Sequence, residues 1–224
     1  MTSSEMAQAK RTIDQAFGRL LGSPAQATVI ARHARATDGK VFELLVLSDL
    51  MKQFSRHGYQ VRLINGAYLK LHSVPGYVAR HEPRLILTKP DGTHLAVWMN
   101  VQFCGIGFEG SGRSTPVAPD YHELDIVITE ENVPDGLLAR GQILLSIECK
   151  DRPLTKGMLR EMIGLRREMS FLSPPPHTGF FDWLTAVHSQ NPPVHLFLCS
   201  SARPPRDFED LSSVFGIEVQ HRPL

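Results

Sequence analysis

The chain lacks the features of secreted and membrane proteins. No stretch approaches the roughly 20 apolar residues that a membrane helix requires, and the first residues, MTSSEMAQAKRTIDQ, contain no apolar run of the secretory type. The three cysteines, Cys104, Cys149 and Cys199, are an odd number without close spacing. This pattern argues against a disulfide framework and against a cysteine zinc site. We therefore expect a cytoplasmic protein with reduced thiols and no membrane partner.

The signatures of several hydrolase classes are also missing. The ten histidines are scattered and form no His-Glu-x-x-His motif, which argues against a zinc hydrolase. No Gly-x-Ser-x-Gly appears, so an α/β-hydrolase is not indicated. The glycines of residues 105–120 are not followed by the Gly-Lys-Ser/Thr of a phosphate-binding loop. The formal net charge is only +1, so a nucleic-acid-binding surface would have to come from local clustering of basic residues.

The residues that are present predict one main domain with an N-terminal arm. The chain has 224 residues, of which 42% are hydrophobic, enough for a sizeable core. Helical spacing of apolar residues at 5–21 and a second stretch at 25–36 predict a helical arm over residues 1–36. This arm would be a helix packed on the core, an oligomer contact or a phosphate-contacting segment. Residues 37–224 would form the main domain.

Hydrophobic periodicity predicts an alternation of helices and strands in the main domain. The expected order is a helix at 40–57, strands at 59–64, 85–87, 95–103, 124–128 and 143–147, a helix carrying an apolar stripe over 158–172, and strands at 194–199 and 217–219. Residues 89–92 contain a Pro-Asp-Gly turn that joins two of these strands as a hairpin. Residues 105–120 hold four glycines and two prolines. We expect there either a mobile flap bordering the active site or a disordered loop.

Charged residues lie near one end of two successive strands. Because side chains alternate along a strand, Glu148 and Lys150 share one face of theirs, and Asp125 shares a face with Glu123. The apolar residues of each strand are expected on the opposite face: Ile143, Leu145, Ile147 and Cys149 on one strand, and Leu124, Ile126 and Ile128 on the other. If the two strands pair, Asp125, Glu148 and Lys150 converge on one point.

Asp125 followed by Glu148-Cys149-Lys150 resembles the D…(D/E)-x-K signature of the PD-(D/E)XK, or restriction-endonuclease-like, nuclease superfamily. The flanking order strengthens the resemblance, because a helix carrying Glu43 precedes several strands, and a helix and a strand follow the signature. The resemblance covers roughly residues 39–219. It implies an α/β fold with a restriction-endonuclease-like core, a central mixed β-sheet flanked by helices in αβββαβ order. One departure is Leu124, which stands where the signature has proline.

The resemblance implies a Mg²⁺-dependent nuclease, with Mn²⁺ as a substitute cation. Asp125, Glu148 and the backbone carbonyl of Cys149 would supply the oxygen ligands that Mg²⁺ prefers. Glu43 would point at the metal site and bind a second metal ion. Lys150 would orient the attacking water and stabilise charge on the phosphate. Glu123 is the rival ligand.

The resemblance also implies a nucleic-acid substrate, with DNA favoured over RNA and endonuclease over exonuclease action, in restriction or defence. The expected phosphate contacts are Arg152, Lys156, Arg160 and Arg113. Arg152, Lys156 and Arg160 lie in or just before the helix that follows the signature. The alternative for these three is a helix face exposed to solvent. A homodimer or a partner subunit is compatible with the sequence. The alternative function is a non-catalytic nucleic-acid-binding or assembly subunit that keeps the nuclease fold.

Overall fold

The computed structural model describes residues 2–21, 37–69, 75–173, 188–190 and 195–223. The helices in these ranges are α1 (Ser3–Leu21), α2 (Asp38–Arg56), α3 (Ile106–Ser111), α4 (Lys156–Glu168) and α5 (Arg206–Val214). The strands are β1 (Gln60–Ile64), β2 (Arg84–Thr88), β3 (His94–Cys104), β4 (Tyr121–Glu130), β5 (Ile143–Lys150), β6 (Phe171–Ser173), β7 (His188–Gln190), β8 (His195–Ser200) and β9 (Ile217–His221).

Seven of the described strands form one mixed sheet in the order β1-β2-β3-β4-β5-β8-β9. Strands β1 to β5 pair antiparallel with their neighbours. Strand β8 runs parallel to β5, and β9 runs parallel to β8. Strands β6 and β7 form a separate antiparallel pair. The α/β class and the central mixed sheet flanked by helices are therefore confirmed.

Two hydrophobic cores hold the helices against the sheet. The first core joins α1 and α2 to the sheet and includes Phe42 and Leu85, both fully buried. The second core contains Trp98 together with Met158 and Met162 of α4. Burying one large apolar side chain stabilises a fold by about 1.5–3 kcal/mol, so both cores fix the sheet between its helices.

The two long helices of the main domain begin at threonine caps. Thr37 accepts a hydrogen bond from the Lys40 N–H at 3.5 Å, and Thr155 accepts one from the Met158 N–H at 3.3 Å. Helix α4 ends at Glu168, so Leu172, expected in its apolar stripe, lies in β6 instead. No helix in the described ranges has the length and apolarity that crossing a membrane requires.

Helix α1 belongs to the same hydrophobic core as α2. Its buried residues are Ala9, Ile13, Ala16 and Phe17, and Ile13 and Phe17 pack in the first core. Helix α1 therefore shows one of the three interpretations of the N-terminal arm, packing on the core. The second predicted helix, at 25–36, lies outside the described residues.

In two strands the alternation of side chains between the two cores is interrupted part-way along the strand, which strict alternation did not predict. Met99 packs against the first core and Val101 lies in the second, because Asn100 between them has a left-handed φ of 54°. On β4 the same change separates Ile126, in the first core, from Leu124, in the second. The prediction that Leu124, Ile126 and Ile128 share one face was therefore wrong.

A β-bulge causes a second departure from alternation, in β5. Ile128 pairs with Leu145 while the next residue, Thr129, pairs with Ile143, so Leu144 is an extra residue in the ladder. Ile143 consequently packs in the second core, whereas Ile147 packs in the first. The prediction that Ile143 shares a face with Leu145 and Ile147 was also wrong.

Residues 105–120, for which the sequence predicted a mobile flap or a disordered loop, carry local structure. Helix α3 begins directly after Gly105, and a 3₁₀ helix occupies Ala118–Asp120. Arg113 donates two hydrogen bonds to Asp120, at 2.6 and 2.8 Å, and the Val117 N–H donates to the same carboxylate at 2.7 Å. A buried carboxylate with these partners ties the segment to the start of β4.

The packing of α1 predicts the effect of truncating its central residue. Ile13→Ala removes a fully buried side chain and should lower the free energy of unfolding by about 2–5 kcal/mol. Urea unfolding followed by circular dichroism measures this loss, with Arg11→Ala on the exposed side of the same helix as the matched control. Equal stability of Ile13→Ala and the wild type would show that α1 is a detachable arm.

Candidate functional site

The hydrogen-bonded ladder between β4 and β5 stops in the middle of the sheet. The antiparallel register runs from Thr129–Ile143 to Ile126–Ile147 and ends there. Beyond that point β4 continues along β3, pairing Glu123 with Gln102, and β5 continues along β8, pairing Glu148 with Leu198. The sheet therefore forks between β4 and β5: β4 stays paired with β3, and β5 stays paired with β8.

Asp125 lies at the base of this fork. Its carboxylate accepts a hydrogen bond from the backbone N–H of Cys149 at 2.8 Å, across the two strands. Burial raises the pKa of Asp125 above its ordinary value, while the Cys149 N–H and the ammonium groups of Lys150 and Lys40 oppose that rise. The side chain thus joins the two strands where their backbones no longer pair.

Glu148 and Lys150 face Asp125 from the other arm of the fork. Glu148 is only 8% exposed, and the Lys150 ammonium lies 3.4 Å from its Oε2. Burial, and then the charge of Asp125, raise the pKa of Glu148 to about 8. Burial alone would lower the pKa of Lys150, but the charges of Glu148 and Asp125 raise it above its ordinary value. The three residues predicted to converge do lie together.

Glu43 reaches this cluster from the first turns of α2. It is 7% exposed, and its two carboxylate oxygens lie 2.9 and 3.0 Å from the Lys40 ammonium. Burial, and then the charge of Asp125, raise the pKa of Glu43 to about 7. Glu123 is nearby as well, since burial and the Asp125 charge raise its pKa too.

Asn100 completes the contacts of Glu43. Its amide nitrogen donates to Glu43 Oε2 at 3.2 Å, and its amide oxygen accepts from the Lys40 ammonium. Neither Lys40 nor Asn100 was predicted from the sequence as a site residue. One signal was present, because asparagine is depleted in strands and Asn100 interrupts an apolar run of β3.

The fork opens into a cleft of about 520 Å³ that α4 covers on one side. Glu123, Asp125, Glu148 and Lys150 line it from the strands, and Glu161, Met162, Leu165 and Glu168 line it from α4. The His122 ring lies 3.5 Å from Glu168, which also accepts a hydrogen bond from the Gly107 N–H at 3.4 Å. Glu161 and Glu168 were not predicted, although their seven-residue spacing places them on one helix face.

The four residues expected to contact phosphate lie elsewhere. Arg152, Lys156 and Arg160 are exposed and are not among the residues that line the cleft. Arg113 is bound to Asp120, so part of its charge is neutralised inside its own segment. The role of these four residues in binding nucleic acid stays a prediction.

The cysteines are free thiols, as expected. Cys149 and Cys199 are neighbours on β5 and β8. Burial raises the pKa of Cys199 to about 12 and that of Cys149 well above its ordinary value. Both thiols therefore stay protonated and unreactive. The Cys149 carbonyl as a metal ligand stays a prediction.

The charges of the cluster do not balance. With all four carboxylates ionised (Glu43, Glu123, Asp125 and Glu148), the two ammonium groups (Lys40 and Lys150) would leave four minus two, an excess of two negative charges. The metal-free protein lessens this excess by protonation, since the pKa values of Glu43 and Glu148 are raised to about 7 and about 8. Like charges in a buried cluster raise carboxyl pKa values, which is what these groups show. A divalent cation beside Asp125 and Glu148 would offset the excess.

The carboxylate oxygens of this cluster are the kind of ligand that Mg²⁺ binds. Mg²⁺ prefers oxygen ligands, keeps several waters and is usually bound through one or two carboxylates. Within the described ranges, no three or more His, Cys, Asp or Glu side chains form a group that could hold a metal ion. Asp125 and Glu148, which line the same cleft, would be the two carboxylates of such a site, with waters as the remaining ligands.

Comparison of the chain with known protein families, with curated proteins and with solved structures finds no match. The functional conclusion therefore depends on the contacts and charges of the cleft.

The raised pKa of Glu148 predicts how the metal-free protein responds to pH. The folded chain holds a proton on Glu148 between the ordinary carboxyl pKa of 4.5 and about 8, where the unfolded chain has released it. The free energy of unfolding should therefore fall as the pH rises through this window. Glu148→Gln cannot ionise, so at a pH near 8 in EDTA it should be more stable than the wild type by about 0.5–2 kcal/mol.

Thermal melting of both proteins across this pH range measures the difference. Glu161→Gln, an exposed carboxylate of the same cleft, is the matched control and should leave the melting temperature unchanged. A lower melting temperature for Glu148→Gln would mean that Glu148 stabilises the fold through its ion pair with Lys150.

Proposed function

We propose that this protein is a Mg²⁺-dependent nuclease that hydrolyses phosphodiester bonds of DNA. The observation that carries the proposal is the fork in the sheet, where the buried Glu148, the part-buried Asp125 and a lysine line one cleft. Such a group supplies a cation site and a fixed positive charge next to each other. Phosphodiester hydrolysis needs both, because an attacking water must be activated and negative charge on the phosphate must be balanced.

The order of elements supports a restriction-endonuclease-like core. Helix α2 precedes β3, β4 and β5, which are followed by α4 and β8. These elements follow the αβββαβ order that the resemblance implies when β1, β2, α3 and the β6–β7 pair are taken as additions between them, and the signature residues are on β4 and β5. Strands β1, β2 and β9 extend the main sheet at its two edges, and β6 and β7 form a separate pair.

Each charged residue of the cleft has a distinct task in the proposed reaction. Asp125 and Glu148 would hold the cation, which would supply Lewis-acid polarisation of the phosphate and a lowered pKa of water. Lys150, bound 3.4 Å from Glu148, orients the attacking water and stabilises charge that develops on the phosphate. Because Glu148 is buried and Asp125 and Lys150 are part-buried, their charges act at a lower effective dielectric than in water and interact more strongly.

The choice of DNA, of internal cleavage and of a role in restriction or defence comes from the resemblance alone. One observation favours the alternative function, a non-catalytic nucleic-acid-binding or assembly subunit. Glu161 and Glu168 add negative charge to the wall of the cleft. In the absence of a cation this charge would repel a phosphate backbone, so it favours the assembly form of that alternative, with any nucleic acid bound away from the cleft. Activity measurements separate the two functions.

Cleavage of circular plasmid DNA tests the proposal directly. The wild type should cut in Mg²⁺ or Mn²⁺ and should be inactive in EDTA. Glu148→Gln and Lys150→Ala should lose cleavage by at least about two orders of magnitude, as removal of one charge-stabilising group in a catalytic site commonly does. Lys52→Ala, which removes a lysine that does not line the cleft, should cut like the wild type.

Binding of nucleic acid to the variants shows whether the loss is catalytic. Glu148→Gln and Lys150→Ala should retain their fold by circular dichroism and should still bind DNA. A wild type that is inert on every nucleic acid tested but binds DNA would favour the non-catalytic subunit. Full activity of Lys150→Ala would remove the lysine from the proposed reaction.

The salt dependence of DNA binding tests the predicted phosphate contacts on α4. Replacing Lys156 and Arg160 together by Ala should weaken binding to all sequences and reduce the slope of log K against log salt by about one unit per lost contact. Arg62, on the edge strand β1, and Lys89, in the turn that follows β2, provide the control double variant. An unchanged slope would assign Lys156 and Arg160 to a solvated helix face.

A further inference from the structure

We infer that the site binds a single divalent cation, and that the Lys40 ammonium occupies the position beside Glu43 that a second cation would need. This inference depends on the metal centre of the proposed function. It differs from the expectation that Glu43 is a metal ligand. It makes Lys40 a positioning residue of the cleft.

The Lys40 ammonium is held by three oxygen atoms. Two belong to Glu43, at 2.9 and 3.0 Å, and the third is the amide oxygen of Asn100. An ammonium group has three N–H donors, so these contacts use its full hydrogen-bonding capacity. They are also the hard oxygen ligands that a divalent cation prefers. The Lys40 ammonium therefore binds the same oxygens of Glu43 and Asn100 that a metal ion would bind.

Asn100 is fixed in the orientation that this arrangement requires. Its amide nitrogen donates to Glu43, so its amide oxygen is left to face the ammonium. Its backbone oxygen accepts the Gly76 N–H at 2.8 Å, and Gln102, two residues further along β3, donates its N–H to the Gly76 oxygen at 2.8 Å. Asn100 has zero exposure, so these backbone bonds and the contacts with Glu43 and Lys40 fix its side chain in place.

Helix formation alone does not account for a lysine at position 40 of α2. Lys40 lies three residues after the cap Thr37, where the helix dipole disfavours positive charge. Glu43 and Asn100 hold it there, and the ammonium also opposes the rise in the pKa values of Asp125 and Glu123. Lys40 thus contributes positive charge to Glu43, Asp125 and Glu123, and the excess of two charges left by the fully ionised cluster is that of one divalent cation.

Counting bound Mn²⁺ tests this inference without any measurement of cleavage. Titration of the purified protein, with free Mn²⁺ followed by electron paramagnetic resonance, should give one ion per chain for the wild type. Lys40→Met should take up a second ion, since it exposes the oxygens of Glu43 and Asn100 without replacing the charge. Lys40→Arg, which keeps the positive charge, should bind one ion.

Two further variants control for folding and for the ligand assignment. Lys52 is on the same helix and, like Lys40, forms an ion pair with a carboxylate three residues away, Asp49, at 2.9 Å. Lys52→Met should bind one ion. Glu43→Gln should also bind one ion, with an affinity within about threefold of the wild type, because Glu43 does not hold the cation. Thermal melting verifies that each variant is folded.

Each outcome has a defined meaning. Two ions in the wild type, one ion in folded Lys40→Met, or loss of the single ion in Glu43→Gln would overturn the inference and leave the proposed nuclease site intact. Absence of Mn²⁺ binding in every variant would contradict the proposed metal centre itself, and the inference with it.

Discussion

The end of the ladder between β4 and β5 is the constraint on which the cleft depends. While two strands pair, their backbone groups satisfy each other and no room remains between them. Past the Ile126–Ile147 pair, the Asp125 carboxylate accepts the Cys149 N–H that the strand partner no longer satisfies. A side chain thus replaces a backbone bond, which brings a carboxylate into the sheet and separates the two arms that line the cleft.

Burial of this cluster sets its chemistry. Carboxylates so enclosed stay ionised only if positive charge lies close by, and Lys40 and Lys150 supply part of that charge. The pKa values of Glu43 and Glu148, raised to about 7 and about 8, show that the supply is incomplete. The metal-free protein is therefore strained electrostatically at this site, as binding sites commonly are, and a bound cation would relieve the strain.

The sequence predicted the elements well because their signals are local. Helical spacing located α2 and α4, a Pro-Asp-Gly turn located the β2–β3 hairpin, and charge at two strand ends identified Asp125, Glu148 and Lys150. What it missed depends on non-local geometry. Strict alternation cannot reveal a left-handed residue such as Asn100 or a bulge at Leu144. Nor can it show that Glu161 of α4 faces the cleft, since that depends on how the helix packs on the sheet.

The location of a bound cation tests the central claim most directly. Crystals soaked in Mn²⁺, with data collected for anomalous scattering, should show a peak within the fork in contact with both the Asp125 and the Glu148 carboxylates. The Lys40 ammonium should remain bound to Glu43 in the same map. A fully occupied peak elsewhere on the chain, with none between Asp125 and Glu148, would contradict the account of this cleft as a metal-dependent nuclease site.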